Sequence, residues 1–489
     1  MICEIRNLLP SPVNPRAMSK RISRRQFLKN TSLAAAGFTI VPRHVLGGKD
    51  FTAPSDKLNI ALIGCGGKAD NHISNVKKHT NIVALCDVDD RRAKDAFEEF
   101  PKAARFRDFR RLFDDPIAAS IDAVMVTTPD HTHAPATLLA LEAKKHVYTE
   151  KPLTHNIAEA RQLLAAAKKA GVVTQMGNQG ASMDCNAEVA EWIQSGTIGD
   201  VTRVHVWTNR PVWPQGLPTP APETIPEGLD WNLWLGPAPQ RDFSERYLPF
   251  RWRGWWDFGT GALGDMGCHL IDPAYRALKL TYPTAIEASA TTVWSDEFQE
   301  ALYAESCPPS STVRMEFPAR DGMPACELWW YDGGIRPMRP AELGSDERFG
   351  SWDGGVLFEG SKGKMLCDMY GENATLLPTK RMKDFDKPKK WLPRYKDNHQ
   401  MVWVNACKGE GKTSSPFEYA VPLTEAILIG NLAVRCFDIK KLGKGKKPTS
   451  WQPWEYPGRL RLEWDAAAMR ITNFDEANAF VGRQPHAGW

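Results

Sequence analysis

Residues 59–70 read Asn-Ile-Ala-Leu-Ile-Gly-Cys-Gly-Gly-Lys-Ala-Asp, an apolar run that breaks into glycines and then becomes compatible with a helix. This order predicts a strand, a tight turn and a helix. Within it, Gly64, Gly66 and Ala69 fill the G-x-G-x-x-G/A pattern, whose small residues permit the turn, the approach of a pyrophosphate and close helix–strand packing. The first helical turn offers free N–H groups and the positive end of the helix dipole to the phosphates.

The next predicted strand, Ile82–Cys86, is followed by Asp87, which lies 23 residues after Gly64. An acidic residue at about this distance binds the ribose hydroxyls of a dinucleotide. Because a carboxylate there repels a 2′-phosphate, it favours NAD over NADP, although Arg91 and Arg92 keep NADP as an alternative. Without the acidic residue, the glycine pattern would fit an ordinary strand–helix turn equally well.

Short apolar strands alternate with helical segments between residues 58 and 177. The segments Pro135–Ala143 and Ile157–Ala170 are the clearest predicted helices. This alternation is typical of βαβ units and predicts a parallel sheet, whose ligands bind beyond the carboxyl ends of the strands. The predicted strands are Leu58–Ile63, Ile82–Cys86, Ala123–Thr127, His146–Thr149 and Val172–Met176.

The pattern changes after residue 183, where a helix to about Ser195 leads into a strand at Val201–Trp207 and a proline-rich loop. Longer strand-like runs follow without helices regularly between them, which predicts an α+β domain with a large, mostly antiparallel sheet. Helical patterns return at Asn398–Lys408 and Leu423–Phe437, and we expect these helices to pack back on the first domain. The strand-like runs are Ala285–Trp294, Ser311–Phe317, Ala325–Tyr331 and Gly355–Glu359.

The N-terminal residues give information on export of the protein and not on its fold. Arg24 and Arg25 precede an apolar stretch from Ser32 to Val41 that is too short to span a bilayer. This arrangement resembles a twin-arginine export signal, although a chance arginine pair before an apolar helix is the alternative. It implies a periplasmic protein, exported in the folded state by the twin-arginine machinery and without a stable membrane span. We therefore predict a signal and linker over 1–49, an NAD(P)-binding Rossmann domain over 50–180 and a substrate-binding α+β domain over 181–489.

Charge and cysteine spacing argue against two other classes of site. The chain has a formal net charge of +4, but residues 1–48 hold eight basic residues and one acidic residue, so that the remainder carries 54 basic and 57 acidic residues. This balance and the absence of a basic stripe argue against nucleic-acid binding. The 10 cysteines form no C-x-x-C pair and have no metal-ligand spacing with histidine, so no metal site is expected. The pairing of these cysteines as disulfides is left open.

Polar residues follow three of the predicted strands, at 127–133, 150–152 and 177–179. Each run alone fits a helix cap or a turn, but together they predict a site at one edge of the sheet. In the second half, Asp265 and His269 lie four residues apart after a glycine-rich stretch that suits a loop. If this stretch is helical, they share a face, and a carboxylate beside an imidazole raises its basicity. A capping aspartate and a core histidine are the alternative.

These motifs resemble those of the glucose–fructose oxidoreductase and inositol dehydrogenase family, from about Lys57 to the C-terminus. The resemblance implies a nicotinamide-dependent enzyme that assembles as a homodimer or homotetramer. The matching residues are Gly64-Cys65-Gly66, Asp87, Thr128-Pro129 with His131 and His133, Glu150-Lys151-Pro152, and Asp265 with His269 and Asp272.

The resemblance also implies roles for individual residues. Lys151 would donate hydrogen bonds to the reacting hydroxyl, His269 would take the hydroxyl proton, and Asp265 would orient His269 or share its proton load. The implied cofactor contacts are Gly64, Cys65, Gly66, Gly67, Asp87, Thr128, Pro129, His131, Glu150 and Lys151. The implied sugar contacts are Asn178, Trp256 and Tyr331.

Export constrains the chemistry that the resemblance implies. Since the periplasm offers no general supply of free nicotinamide cofactor, we expect a tightly held NAD that is regenerated in each turnover. The expected function is oxidation or reduction at a sugar, polyol or glycoside hydroxyl. An NAD-dependent glycosidase that works by transient ring oxidation and elimination is one alternative, and a non-catalytic nucleotide-binding protein is another.

Overall fold

A computed structural model describes residues 56–301, 303–447, 450, 452–486 and 488–489. The predicted export signal and linker at 1–49 lie outside these residues. Lys57–Trp489 cluster as one unit, in which the described strands form two large sheets and two short ribbons.

The first sheet has six parallel strands in the order β3-β2-β1-β4-β5-β6, which is the order of a Rossmann fold. Its central strands are buried on both faces, and this burial explains their continuous apolar sequence. The predicted parallel sheet is confirmed. Its strands are β1 (Leu58–Ile63), β2 (Thr80–Cys86), β3 (Ala104–Phe106), β4 (Ala123–Val126), β5 (His146–Thr149) and β6 (Thr174–Met176).

Helices connect these strands and cover both faces of the sheet. The helix predicted at Pro135–Ala143 begins earlier than expected, since α4 already starts at Asp130, directly after Pro129. The acidic side chain of Asp130 suits this first turn, since it faces the positive end of the helix dipole. The helices are α1 (Lys68–Val76), α2 (Asp90–Glu99), α3 (Phe109–Asp114), α4 (Asp130–Glu142) and α5 (Ile157–Ala170).

The second sheet has nine strands in the order β15-β14-β13-β7-β12-β11-β8-β18-β19. Only β7 and β12 run parallel, so the predicted mostly antiparallel sheet is confirmed. The strands are β7 (Val201–Thr208), β8 (Ala285–Ala290), β11 (Ser311–Phe317), β12 (Cys326–Tyr331), β13 (Gly354–Gly360), β14 (Gly363–Cys367), β15 (Thr375–Leu377), β18 (Leu462–Asp465) and β19 (Arg470–Ile471). The two ribbons pair β9 (Trp294–Asp296) with β10 (Gln299–Glu300), and β16 (Lys441–Leu442) with β17 (Trp454–Glu455).

The helix α11 (Phe417–Phe437), which belongs to the second half of the chain, contacts both halves of the structure. It packs against α5 and β6 of the first half and against α8, β8 and β11 of the second. Its 21 residues are long and apolar enough to cross a membrane, but most of them are buried inside the protein. These helices are α6 (Asp184–Gln194), α7 (Trp231–Leu235), α8 (Gly261–Leu270), α9 (Asp272–Ala277), α10 (His399–Cys407) and α11 (Phe417–Phe437).

A proline inside α4 is accommodated by a contact from the C-terminal segment. Pro135 has no N–H to donate to the carbonyl of His131, four residues earlier. That carbonyl instead accepts a hydrogen bond from Arg483, which also forms an ion pair with Glu159 at 2.6 Å. The C-terminal segment therefore supplies the donor that the helix lacks.

We expect Gly64→Ala to lower the melting temperature more than Gly171→Ala does. Both glycines have a positive φ, +86° and +65°, where an L side chain costs about 1–2 kcal/mol. At Gly64, the new Cβ would also lie 2.9 Å from the backbone carbonyl carbon of Thr127, which adds an overpacking cost of about 1–3 kcal/mol. No described atom lies within 4 Å of a Cβ at Gly171. Scanning calorimetry of both variants would contradict this reasoning if the two shifts were equal.

Candidate active site

A cleft of about 610 Å³ lies at the carboxyl ends of the parallel strands and reaches α8 of the second half. The three polar runs predicted at this edge contribute Thr128, Glu150, Lys151 and Gln179 to its lining. Since strand ends of a parallel sheet converge at one edge, this placement follows from the topology.

The glycine-rich turn after β1 forms the floor of the cleft. Gly64, Gly66 and Gly67 all line it, and a Cβ at Gly66 would lie only 2.7 Å from the carbonyl oxygen of Arg92. The helix that follows begins without a side-chain cap, and although the N–H groups of Ala69 and Asp70 donate back to the carbonyls of Gly66 and Gly67, its positive end faces the cleft. Thr128 Oγ1 is buried in the same lining and has no hydrogen-bond partner among the described residues. These features fit the pyrophosphate of a dinucleotide.

The acidic residue after β2 is fixed by backbone donors. The Asp87 carboxylate accepts hydrogen bonds from the N–H of Cys65 at 2.7 Å and from the N–H of Asp89 at 2.9 Å. Burial raises the pKa of this carboxyl, although the two N–H donors oppose the shift. The Cys65 thiol is directed towards the carbonyls of Leu62 and Cys86, away from the cleft, so only its backbone shapes the site.

A buried ion pair connects the end of β5 to α8. Lys151 Nζ lies 2.7 Å from Asp265 Oδ1 and 2.8 Å from the Asp265 carbonyl oxygen, and Arg253 Nε donates to the same carboxylate at 3.1 Å. Burial alone would raise the pKa of Asp265, but the two cations outweigh it and hold that pKa well below its ordinary value. The partners of Asp265 are thus Lys151 and Arg253, not His269 as predicted.

His269 lies one turn after Asp265 on α8, because the glycine-rich stretch predicted as a loop is helical from Gly261 onward. The imidazole is 6% exposed, lines the cleft and packs edge-on against Tyr370, with ring centroids 5.2 Å apart. Burial, and then the nearby Lys151 ammonium, lower the pKa of His269 to about 3, so its ring is neutral near pH 7. Its Nδ1 is buried and has no hydrogen-bond partner within the described chain.

Glu150 is held from the side opposite Lys151. His72 Nε2 lies 2.8 Å from its carboxylate, and Gln400 donates to the other ring nitrogen of His72 at 2.8 Å. Burial alone would raise the pKa of Glu150, but His72 and the charge of Lys68 keep it below its ordinary value. The carboxylate is therefore ionised beside Lys151.

Besides Cys65, four predicted contact residues do not line the cleft, namely His131, Trp256, Tyr331 and Asn178. The imidazole of His131 is buried between Trp234 and Phe258, and its nitrogens lie 2.9 and 3.2 Å from the carbonyl oxygens of those two residues. Trp256 lines a different cavity, and the Tyr331 hydroxyl bonds His205 on the second sheet. Residue type and position in the motif carried no information on where these side chains point.

The fourth of these predicted contacts, Asn178, is fully buried just behind the lining. It follows β6 and precedes Gln179, which does line the cleft. The Asn178 amide lies beside the buried Asp272 carboxylate, where it opposes the rise in the Asp272 pKa that burial causes.

The cleft also contains residues that the sequence did not suggest. Tyr370 enters it from a short turn in which its own φ is +64°, and its hydroxyl accepts a hydrogen bond from Gln179 at 2.9 Å. Arg210 and Asp353 form an ion pair at 3.0 Å in the lining. These residues come from segments far apart in the chain, and the only local signal was the Tyr-Gly pair at a turn.

Residues 58–178 match the model of an oxidoreductase family with an NAD-binding Rossmann fold, named GFO_IDH_MocA, and residues 186–300 match the C-terminal alpha/beta domain of the same family. These two segments belong to the Gfo/Idh/MocA oxidoreductase family. Residues 58–178 are thus an NAD-binding Rossmann domain, and the family resemblance predicted from the motifs is confirmed over the matched residues.

Two curated proteins of known activity illustrate the range of this family. Inositol 2-dehydrogenase of Gluconacetobacter diazotrophicus is 33% identical over 184 residues, which are 36% of this chain and 54% of that protein. D-glucoside 3-dehydrogenase of Escherichia coli is 27% identical over 260 residues, which are 52% of this chain and 61% of that protein. The chain spans about half the length of the curated relatives it matches.

Solved structures share the fold at low identity. The WlbA dehydrogenase of Bordetella pertussis, in complex with NADH and UDP-GlcNAcA, is 17% identical with a TM-score of 0.51, covering 76% of this chain and 95% of its own. Levoglucosan dehydrogenase in complex with NADH is also 17% identical with a TM-score of 0.51, covering 77% of this chain and 97% of its own. These likenesses support the fold.

We expect His131→Gln to make the free energy of unfolding less dependent on pH, without changing the affinity for NAD. Burial lowers the pKa of His131 from 6.5 to about 3. Between pH 6.5 and 5, the imidazole of the unfolded chain therefore binds a proton, whereas the imidazole of the native protein stays neutral. Native stability therefore falls as the pH falls, and this histidine contributes about 1–2 kcal/mol to that loss.

The measurement is the free energy of unfolding at pH 6.5 and 5, together with a fluorescence titration of NAD. His79→Gln, which changes an exposed histidine, should leave both quantities unchanged. An unaltered acid dependence in His131→Gln, combined with weaker NAD binding, would instead place His131 at the cofactor.

Proposed function

We propose that this protein is an NAD-dependent oxidoreductase acting on a hydroxyl group of a sugar, polyol or glycoside. The observation that carries the proposal is the presence of the Lys151 ammonium and the neutral His269 imidazole in one cleft with the glycine-rich turn. The names of the curated relatives, which include an inositol dehydrogenase and a glucoside dehydrogenase, support this substrate class.

Lys151 and His269 have different roles at the reacting hydroxyl oxygen. NAD, when bound, supplies the acceptor for hydride from the carbon that carries the hydroxyl. Lys151 donates a hydrogen bond to the oxygen and stabilises the negative charge that develops there. His269 is neutral at physiological pH and takes the hydroxyl proton, because a base must be unprotonated before the reaction starts. Asp265 is a positioning residue, since its carboxylate and backbone carbonyl hold the lysine amine, and Arg253 in turn holds that carboxylate.

We propose NAD rather than NADP as the cofactor. The Asp87 carboxylate lines the cleft at the end of β2, where it meets the ribose hydroxyls and repels a 2′-phosphate. Arg92 and Arg107 also line this end of the cleft. Arg107 is already paired with Asp90, which reduces its capacity to bind a phosphate.

We further propose that the protein is periplasmic and keeps its cofactor bound through each turnover. The proposal rests on the Arg24-Arg25 pair and the apolar stretch that follows it, which lie outside the described residues. A folded protein exported with its cofactor must regenerate that cofactor on a second substrate or within one reaction.

Lys151→Ala and His269→Ala should each reduce turnover by about 100- to 10,000-fold, which is the usual contribution of one acid–base group. The assay incubates the enzyme with a panel of monosaccharides and glycosides and analyses the products by mass spectrometry. Loss of two hydrogens indicates oxidation. Lys168→Ala, an exposed lysine on α5, is the control and should retain full activity. Release of an aglycone would favour the glycosidase, and undiminished turnover in both variants would remove Lys151 and His269 from the mechanism.

The proposal that NAD stays bound to the protein leads to a second prediction. Protein purified without added nucleotide and then denatured should release close to one NAD(H) per chain into the supernatant. Enzymatic cycling assays quantify this nucleotide. An empty supernatant from folded, exported protein would contradict retention while leaving the oxidoreductase assignment to the mass analysis.

A further inference from the structure

A second cavity of about 230 Å³ lies apart from the candidate active site and shares none of its lining residues. It is enclosed by α11, by the chain around Trp256 and by the C-terminal residues up to Gln484. Leu428, Leu432 and Phe480 give it apolar walls. The space corresponds to roughly eight water molecules at about 30 Å³ each, which is enough for a short organic acid.

Two arginines line this cavity: Arg483, which is paired with Glu159, and Arg435, near the end of α11. The guanidinium carbon of Arg435 lies 4.1 Å from the ring centroid of Phe480 and 5.5 Å from that of Trp256. No carboxylate pairs with it, and no acceptor takes a hydrogen bond from it, within the chain as described. Burial lowers the pKa of Arg435, and the charge of Asp257 opposes this shift. Arg435 is half-buried, and an arginine withdrawn from water normally has a charged partner.

The carboxylates near Arg435 are already engaged. Asp257 lines the cavity, but its carboxylate is paired with Arg241. Glu159 is paired with Arg483, whose other branch, Nη1, is buried without a partner among the described residues. The positive charge of Arg435 is therefore not neutralised by direct contact within this part of the protein.

A second, independent observation points into the same space. Asn156 is 7% exposed and lines the cavity, and its Oδ1 accepts a hydrogen bond from the N–H of Glu159. Its Nδ2 is buried and has no acceptor in the described structure. A buried amide donor without an acceptor is unfavourable, so an acceptor atom supplied by a ligand would stabilise the protein.

We propose that this second cavity binds an organic carboxylate through the Arg435 guanidinium. A carboxylate matches the planar fork of arginine and carries the single charge that one unpaired cation balances. The apolar walls favour a ligand with a short hydrocarbon body over inorganic phosphate. Thr260 separates the two spaces, since it lines this cavity and its hydroxyl donates to Asp130 of the active-site cleft at 2.7 Å.

Calorimetric titration of the whole protein with butyrate tests the proposal, with butyramide as its uncharged counterpart. Butyrate should bind at one site per chain, and butyramide and inorganic phosphate should bind at least tenfold more weakly. Arg435→Met should weaken butyrate binding at least tenfold, because a hydrogen-bonded charge pair contributes about 1.5–3 kcal/mol. Arg459→Met is the matched control, since Arg459 also stacks on aromatic rings but lies outside the cavity.

Two further variants identify the site and guard against misfolding of Arg435→Met. Leu432→Trp fills the cavity without changing its charge and should abolish butyrate binding. Lys151→Ala should leave butyrate affinity unchanged, which excludes binding at the active-site cleft. The proposal is overturned if butyrate does not bind, if butyramide or phosphate binds equally well, or if Leu432→Trp binds butyrate like the wild type.

Discussion

The buried ion pair between Lys151 and Asp265 is the constraint on which the arrangement of the site depends. An ammonium group removed from water must be paired, and here its partner comes from the other half of the protein. Loss of one member of a buried pair typically costs about 3–5 kcal/mol, because a charge is left without compensation. The pair therefore fixes where α8 lies against the end of β5, and with it the position of His269 one turn further on.

The same ammonium has opposite effects on the two neighbours that follow each other on α8. It favours the anion of Asp265, together with Arg253, and it adds to burial in disfavouring the cation of His269, so both pKa values lie below their ordinary ranges. Burial and this positive charge thus leave one group ionised and the other neutral. This is the combination that proton removal from a hydroxyl requires, because the base is free while the charge that stabilises the oxygen stays in place.

The sequence predicted the alternating strands and helices well because buried parallel strands are apolar throughout and glycine turns are local features. It missed β3, a three-residue edge strand with Arg105 at its centre, it placed the start of α4 too late, and it assigned a loop to the first turn of α8. The site was predictable where strand ends converge, as at Lys151. The site was not predictable where tertiary packing decides which way a side chain points, as for His131. It was also not predictable where a turn distant in the sequence contributes a residue, as for Tyr370.

The long helix Phe417–Phe437 has a consequence for how the protein can be taken apart. Because it covers α5 of the first sheet layer and β8 of the second, neither half has a complete apolar interior without it. A fragment that ends before this helix would expose both interiors to water. The nucleotide-binding half therefore cannot be transferred by itself. A chimaera that joins it to another substrate domain would also need an equivalent of this long helix.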